Sequence, residues 1–231
     1  MNLIYKIHRW IELHTGSLSS VFEVVPFVLL TALIYCCVRH LILKRRFGKQ
    51  LKTIRSECLL NEVIRVLLVC ELSAIVSMTL SPNNFWKYFW SWLGGKQWEF
   101  HIYGFGHIGP FPITVLCLLG YYSWRDFLSF LPEMAMNVAF FIPLGLALPF
   151  VLKKSQMKRI VICGFLISLF VEVVQPFIGR DGTISDVTCN TLGAVLGYLL
   201  YLLMKKLFPN FTEKGRLSAN DVWTQKHSSP K

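Results

Sequence analysis

Five long apolar runs limit the folds open to this chain more than any other feature of the sequence. Hydrophobic residues make up 54% of its 231 residues and charged residues only 16%, a balance typical of membrane proteins. An α-helix rises about 1.5 Å per residue, so roughly 20 apolar residues cross a hydrocarbon layer of about 30 Å. We therefore predict an all-α polytopic membrane protein with about five transmembrane helices. The predicted spans are Phe22–Val38 (or to Leu43), Val63–Leu80, Leu131–Leu152, Ile160–Ile178 and Val187–Met204.

Lysine and arginine residues give the predicted helices an orientation. Seven of them lie between the first span and Val63, which places that loop in the cytoplasm by the positive-inside rule. The same orientation puts 18 of the 24 Lys and Arg residues on the cytoplasmic side. We predict an amino terminus outside, a single transmembrane domain over residues 1–204, and a polar, disordered cytoplasmic tail over residues 205–231.

The net charge of +11 would suggest nucleic-acid binding in a soluble protein. Here the basic residues cluster beside apolar runs, where they orient helices and contact anionic lipid, so no nucleic-acid partner is predicted. The seven cysteines form an odd set without a C-x-x-C pair, which indicates neither a disulfide framework nor a zinc site. His101 and His107 lack further ligand spacing, so neither a metal nor a cofactor is predicted.

A long external segment is predicted between the second and third spans, at residues 81–131. It is dense in aromatic residues and interrupted by glycines, which is typical of chain lying in the lipid headgroup layer. The apolar run within Pro112–Tyr122 is too short to cross the membrane. We expect it to form a re-entrant or interfacial helix.

The stretch from Glu172 to Gly197 concentrates polar groups that a membrane does not tolerate without a reason. Glu172 and Gln175 share one helix face, and Asp186 and Asn190 share another with two glycines. Glu172 is expected to pair with Arg180, with Asp186 as a competitor for the same guanidinium. This arrangement is either a clamp between two helices or an outward-facing ligand pocket, and the sequence leaves both open. The candidate ligand-binding residues are Asn137, Glu172, Gln175, Arg180, Asp186 and Asn190.

Several of these groups have simpler structural interpretations. Thr183 and Asp186 have the spacing of a capping box at a helix start. Gly193 and Gly197 form a small-x-x-x-small stripe that favours close helix packing, and Asn137 could be only an interhelical hydrogen-bond partner. Glu71 is predicted near mid-membrane, where it is either protonated or part of a proton relay.

Two linked segments resemble the signature of the VanZ-like membrane proteins. The first is the sequence MNVAFFIPLG at 136–145; the second begins about thirty residues later with E-x-x-Q, an arginine-containing turn and D-x-x-x-N-x-x-G-x-x-x-G. The resemblance covers about residues 107–204, including Pro110 and Phe111. The matching positions are Asn137, Phe141, Pro143, Gly145, Glu172, Gln175, Asp186, Asn190, Gly193 and Gly197, and Arg180 supplies the arginine of the turn.

This resemblance implies a multi-pass protein of the bacterial plasma membrane, in a family whose founding member is associated with resistance to teicoplanin. Two functions are consistent with the residues. The first is a non-enzymatic protein that binds a membrane lipid, a lipid-linked cell-wall precursor or a lipoglycopeptide. The alternative is an intramembrane enzyme in which Glu172 and Asp186 act as acid and base on a lipid headgroup. A transporter is the least favoured, because no internal repeat is detectable.

Overall fold

The computed structural model describes residues 19–80, 91–95, 108–109, 112–152, 156–178 and 180–228. The regular secondary structure of the described chain is helical apart from one pair of two-residue strands. In chain order the elements are α1 (Ser19–Phe47), a 3-10 turn (Gly48–Gln50), α2 (Leu51–Glu57), α3 (Leu59–Leu80), β1 (Ile108–Gly109), α4 (Ile113–Leu118), α5 (Trp124–Val151), α6 (Met157–Val174), a 3-10 turn (Gln175–Ile178), β2 (Gly182–Thr183), α7 (Ile184–Leu207), α8 (Pro209–Arg216) and α9 (Ala219–Ser228).

Five of the described helical segments are long and apolar enough to cross a membrane, which confirms the all-helical prediction and its five spans. Each helix begins before its predicted run. The largest extension at a helix start is in α5, which begins seven residues before Leu131 because Ser123 and Asp126 form a capping box there. The helix then continues through Pro132, Pro143 and Pro149.

Helices α5 and α7 form the closest contact in the bundle, and glycines make it possible. A Cβ atom at Gly193 would lie 2.2 Å from the carbonyl oxygen of Val138, and one at Gly197 would lie 2.1 Å from that of Ile142. Gly145 has the same role on α5, because a Cβ there would lie 2.1 Å from the carbonyl oxygen of Ala194. The predicted packing role of the glycine stripe is therefore confirmed.

Helix α1 packs mainly on α3 and leaves most of its surface uncovered. Leu29 and Leu33 are 64% and 62% exposed, as expected for side chains that face lipid. Polar contacts also attach the helix to α3. Ser73 donates a hydrogen bond to Thr31 at 3.1 Å, and Arg39 pairs with Glu62.

The disorder predicted for the tail is wrong, because residues 209–228 form α8 and α9 and pack against the bundle. Val222 and Ala219 are 1% and 2% exposed in an apolar cluster with the end of α1 and with α2. The ring of Trp223 lies 5.3 Å from that of Phe47. These few apolar positions are enough to hold a segment that is polar on average.

The predicted interfacial segment contains one short helix, α4, whose start is tied to the start of α7. The backbone N–H of Ile113 donates to the Ser185 hydroxyl at 2.8 Å. Strand β1 pairs in parallel with β2, so that Ile108 is opposite Gly182 and Gly109 is opposite Thr183. The rest of the aromatic segment, with His101 and His107, lies mostly outside the described residues.

Candidate functional site

The two ends of the bundle differ in chemistry. At one end, called here the site end, α3 and α6 finish and α5 and α7 begin; it holds Asn137, Glu172, Gln175, Arg180 and Asp186. At the other, the basic end, α1 and α7 finish in Lys44, Arg45, Arg46, Lys205 and Lys206, and α8 and α9 pack. Because neighbouring helices run antiparallel, residues that are far apart in sequence lie side by side at each end.

Glu172 holds the strand that leads into α7. Its Oε2 atom accepts a hydrogen bond from the backbone N–H of Thr183 at 2.9 Å, and the residue is only 6% exposed. The strand approaches so closely that a Cβ at Gly182 would lie 2.4 Å from the backbone oxygen of Glu172. A glycine is therefore needed at this position.

Asp186 is joined to α5 instead of completing the predicted capping box. Its N–H donates to Thr183 Oγ1 at 3.0 Å, which is the first half of a capping box. The second half would use the Thr183 N–H, but that group is already bonded to Glu172. The Asp186 carboxylate instead accepts a bond from Asn137 Nδ2 at 2.6 Å.

The predicted ion pair between Glu172 and Arg180 is wrong. Arg180 donates from a terminal guanidinium nitrogen to the backbone oxygen of Met78 at 2.8 Å, and Gln175 Nε2 lies 3.5 Å from the backbone oxygen of Thr79. Both acceptors belong to the last turn of α3, where carbonyls lack partners within the helix and the helix dipole favours a cation. The end of α3 thus offers Arg180 a better-placed acceptor than the carboxylate does.

Gln175 is left with one unused group. Its Oε1 atom is buried and, within the part of the chain that the structure describes, is the one buried side-chain polar atom without a hydrogen-bond partner. A buried acceptor without a donor destabilises a fold by about 1 to 3 kcal/mol. The described residues supply no donor for this atom.

Asn190 lies apart from this bonding network. Its Nδ2 atom donates to Ser168 Oγ at 2.9 Å, and the two side chains are 4% and 0% exposed. The contact joins α6 to α7 and is a structural bond between helices. Ser168 was not predicted from the sequence, although its position four residues before Glu172 puts it on the same helix face.

The site end therefore contains the carboxylates Glu172 and Asp186, one guanidinium and an unbonded amide oxygen. The nearby hydroxyls are already engaged as acceptors, Thr183 from Asp186 and Ser185 from Ile113. Among the described residues, no three His, Cys, Asp or Glu side chains are grouped as metal ligands. The arrangement is suited to accepting hydrogen bonds from a polar group that approaches this end.

Glu71 lies elsewhere, in the wall of a partly open apolar cavity of about 480 Å³ that is lined by α1, α3, α5, the end of α7 and α8. We call this space the apolar cavity. Its lining includes Leu68, Pro143 and Phe150, so Glu71 faces a largely hydrocarbon surface. The structure does not bring Glu71 into the polar group at the site end.

The fold and the placement of these polar groups define a multi-pass helical membrane protein. The VanZ/LLP1 family model matches residues 2–205, and the chain belongs to that family. The match reaches almost to the first residue, whereas the sequence resemblance was confined to about residues 107–204. Neither a curated protein nor a solved structure matched the chain.

Proposed function

We propose that the site end binds the polar head of an amphiphile at the outer face of the bacterial plasma membrane and thereby contributes to resistance against teicoplanin-type antibiotics. Membership of the VanZ/LLP1 family supports the link to resistance. The observation that carries the binding role is the unbonded Gln175 Oε1 in a group that also contains two carboxylates.

The chemistry of the site end favours one kind of ligand. Glu172, Asp186 and Gln175 all present acceptor oxygens, while Arg180 donates one of its N–H groups to the end of α3. The ligand is therefore expected to supply donors, such as hydroxyl, amide N–H or ammonium groups. Sugar and peptide groups of a lipid-linked cell-wall precursor or of a lipoglycopeptide have these donors, and their lipid chains would remain in the surrounding bilayer.

The test is to remove charge without removing hydrogen bonds. In Asp186→Asn the side-chain oxygen still accepts from Asn137, and Glu172→Gln keeps an acceptor for Thr183. We expect both variants to reach wild-type abundance in the membrane but to lose protection against teicoplanin in a host that lacks the native protein. Asp126→Asn is the matched control, because Asp126 is also an acidic residue in the first turn of a helix but is exposed and bonds Ser123 instead of Asn137 or Thr183.

Abundance and ligand retention decide how the result is interpreted. Mass spectrometry of gently solubilised protein should detect a copurified amphiphile with the wild type and Asp126→Asn, and much less with Asp186→Asn. If Asp186→Asn protects fully at equal abundance, its charge has no part in function. If its abundance falls, the carboxylate supports the fold instead.

A further inference from the structure

A second cavity, of about 440 Å³, lies at the basic end between the bundle and the tail. Its wall includes Arg39 from α1, Arg65 from α3 and Arg216 from α8. We call it the arginine pocket. These three residues are distant in sequence, and the fold directs all of them to one space of ligand size.

Each of the three guanidiniums is held in position by a neighbouring side chain. Arg39 forms two bonds with the Glu62 carboxylate, at 2.9 and 2.7 Å. Arg65 Nε donates to Asn61 Oδ1 at 2.7 Å, and Arg216 donates to the Tyr201 hydroxyl at 3.2 Å. The acceptor for Arg65, Asn61, is neutral.

The charges around the pocket leave a surplus of one positive charge. Its wall includes one carboxylate, Asp221, which also accepts bonds from the Ser218 N–H and hydroxyl, and Glu62 lies behind Arg39. Three guanidiniums thus face two carboxylates. Within the described part of the chain, Arg65 has no ion-pair partner, and its bond to Asn61 uses only one of its five N–H donors.

An anion with several oxygens in a compact group fits this arrangement best. Arginine binds phosphate through a planar fork of N–H donors, which makes it more selective for phosphate geometry than lysine. The pocket lies at the ends of spanning helices, where lipid headgroups are found, and basic pockets between such helices bind anionic headgroups. A phospholipid phosphate therefore matches both the chemistry and the location.

The neighbouring apolar cavity supplies a place for the rest of such a molecule. Phe150 lines both the arginine pocket and the apolar cavity. Helices α3, α5 and α8 also line both spaces. They contribute Arg65, Val151 and Arg216 to the arginine pocket, and Leu68, Leu146 and Phe211 to the apolar cavity. The two spaces thus lie on either side of Phe150, one with a charged wall and one with an apolar wall, as a headgroup and an acyl chain require.

We propose that the arginine pocket binds the phosphate of an anionic phospholipid from the leaflet at the basic end, with an acyl chain in the apolar cavity. This site is separate from the one at the site end. Ser218 and Asp221 of the tail form part of its wall, so the bound lipid joins α8 and α9 to the bundle. Because the lipid binds only the folded state, it also stabilises the protein.

The experiment uses the full chain in nanodiscs of phosphatidylcholine, with and without phosphatidylglycerol. Phosphatidylglycerol is expected to raise the Tm of the wild type and to slow hydrogen exchange in α9. Arg65→Gln should weaken phosphatidylglycerol binding about tenfold or more, since a charged hydrogen bond is lost while Gln can still bond Asn61. Arg159→Gln is the matched control, because it removes an exposed arginine at the basic end that does not line the pocket.

A second variant keeps the test decisive if Arg65→Gln does not fold. Arg216→Gln alters the same pocket from the surface helix α8 and is expected to weaken binding to a similar degree. Equal stabilisation by phosphatidylcholine alone, or wild-type affinity in both pocket variants, would overturn the proposal. Displacement of phosphatidylglycerol by millimolar inorganic phosphate, with equal stabilisation by phosphate itself, would also overturn it in favour of a soluble anion.

Discussion

The single N–H group of Thr183 decides how the site end is bonded. A regular capping box would give this group to Asp186, but the fold gives it to Glu172 at 2.9 Å. Asp186 is then available to Asn137, which ties the start of α7 to α5. One hydrogen bond thus determines which carboxylate holds the loop and which one links the helices.

Glycine has an equally specific effect where α5 and α7 meet. Gly193→Ala would place a Cβ 2.2 Å from the Val138 oxygen, so the helices would have to separate. We expect a loss of about 1 to 3 kcal/mol or more in the free energy of unfolding, together with lower folded yield. The measurement is thermal unfolding in detergent beside the amount of monodisperse protein.

Leu192→Ala is the control for this substitution. Leu192 is adjacent to Gly193 and 49% exposed, so alanine there should cost much less. Equal losses in the two variants would show that the close approach of α5 and α7 is not what the glycine provides.

Among the helices, α1 depends most on a few contacts, because it packs mainly on α3. The ion pair between Arg39 of α1 and Glu62 of α3 is largely buried, since the two side chains are 25% and 10% exposed. A buried ion pair that loses one member leaves an unpaired charge behind, which costs about 3 to 5 kcal/mol. The pair therefore attaches α1 to α3 at the basic end.

A double-mutant cycle tests this attachment. Arg39→Gln and Glu62→Gln should each destabilise the protein strongly, and the double variant should lose clearly less than the sum of the two losses. Unfolding in detergent followed by circular dichroism gives the three values. Additive losses would mean that the bonds at 2.7 and 2.9 Å contribute no coupling.

The features that could be predicted from the sequence are those set by residues close together in the chain. Apolar runs identified all five spans, and the spacing of Gly193 and Gly197 predicted a packed face. What could not be predicted depends on residues far apart in the chain. Arg180 bonds Met78, 102 positions away, and Asn61 bonds Gly215, 154 positions away.

The structure of the tail also depends on contacts with residues far away in the chain. Its average composition is polar, and composition alone therefore predicted disorder. Val222 and Trp223 nevertheless find apolar partners on α1 and α2, which no local pattern in the tail reveals. Likewise, the pairing of Glu172 with Arg180 was predicted because the two residues are close in sequence. The actual acceptor for Arg180 is a backbone oxygen of α3, which is distant in sequence.

In the whole molecule, the two proposed sites occupy opposite ends of one helix bundle. The site end presents acceptor oxygens, and the basic end presents guanidiniums. The distribution of Lys and Arg predicts that the basic end faces the cytoplasm. The proposed function depends on this orientation, because a cell-wall precursor or antibiotic is met outside the cell.

Cysteine labelling in intact cells tests this orientation most directly. Asp181, Gln50 and Glu213, which are all exposed, are each replaced by a single cysteine. The background is a variant in which the seven native cysteines are replaced by alanine. An impermeant maleimide is expected to label Asp181→Cys in intact cells, and Gln50→Cys and Glu213→Cys only after the membrane is permeabilised. Labelling of Gln50→Cys and Glu213→Cys in intact cells, with Asp181→Cys protected, would contradict the account.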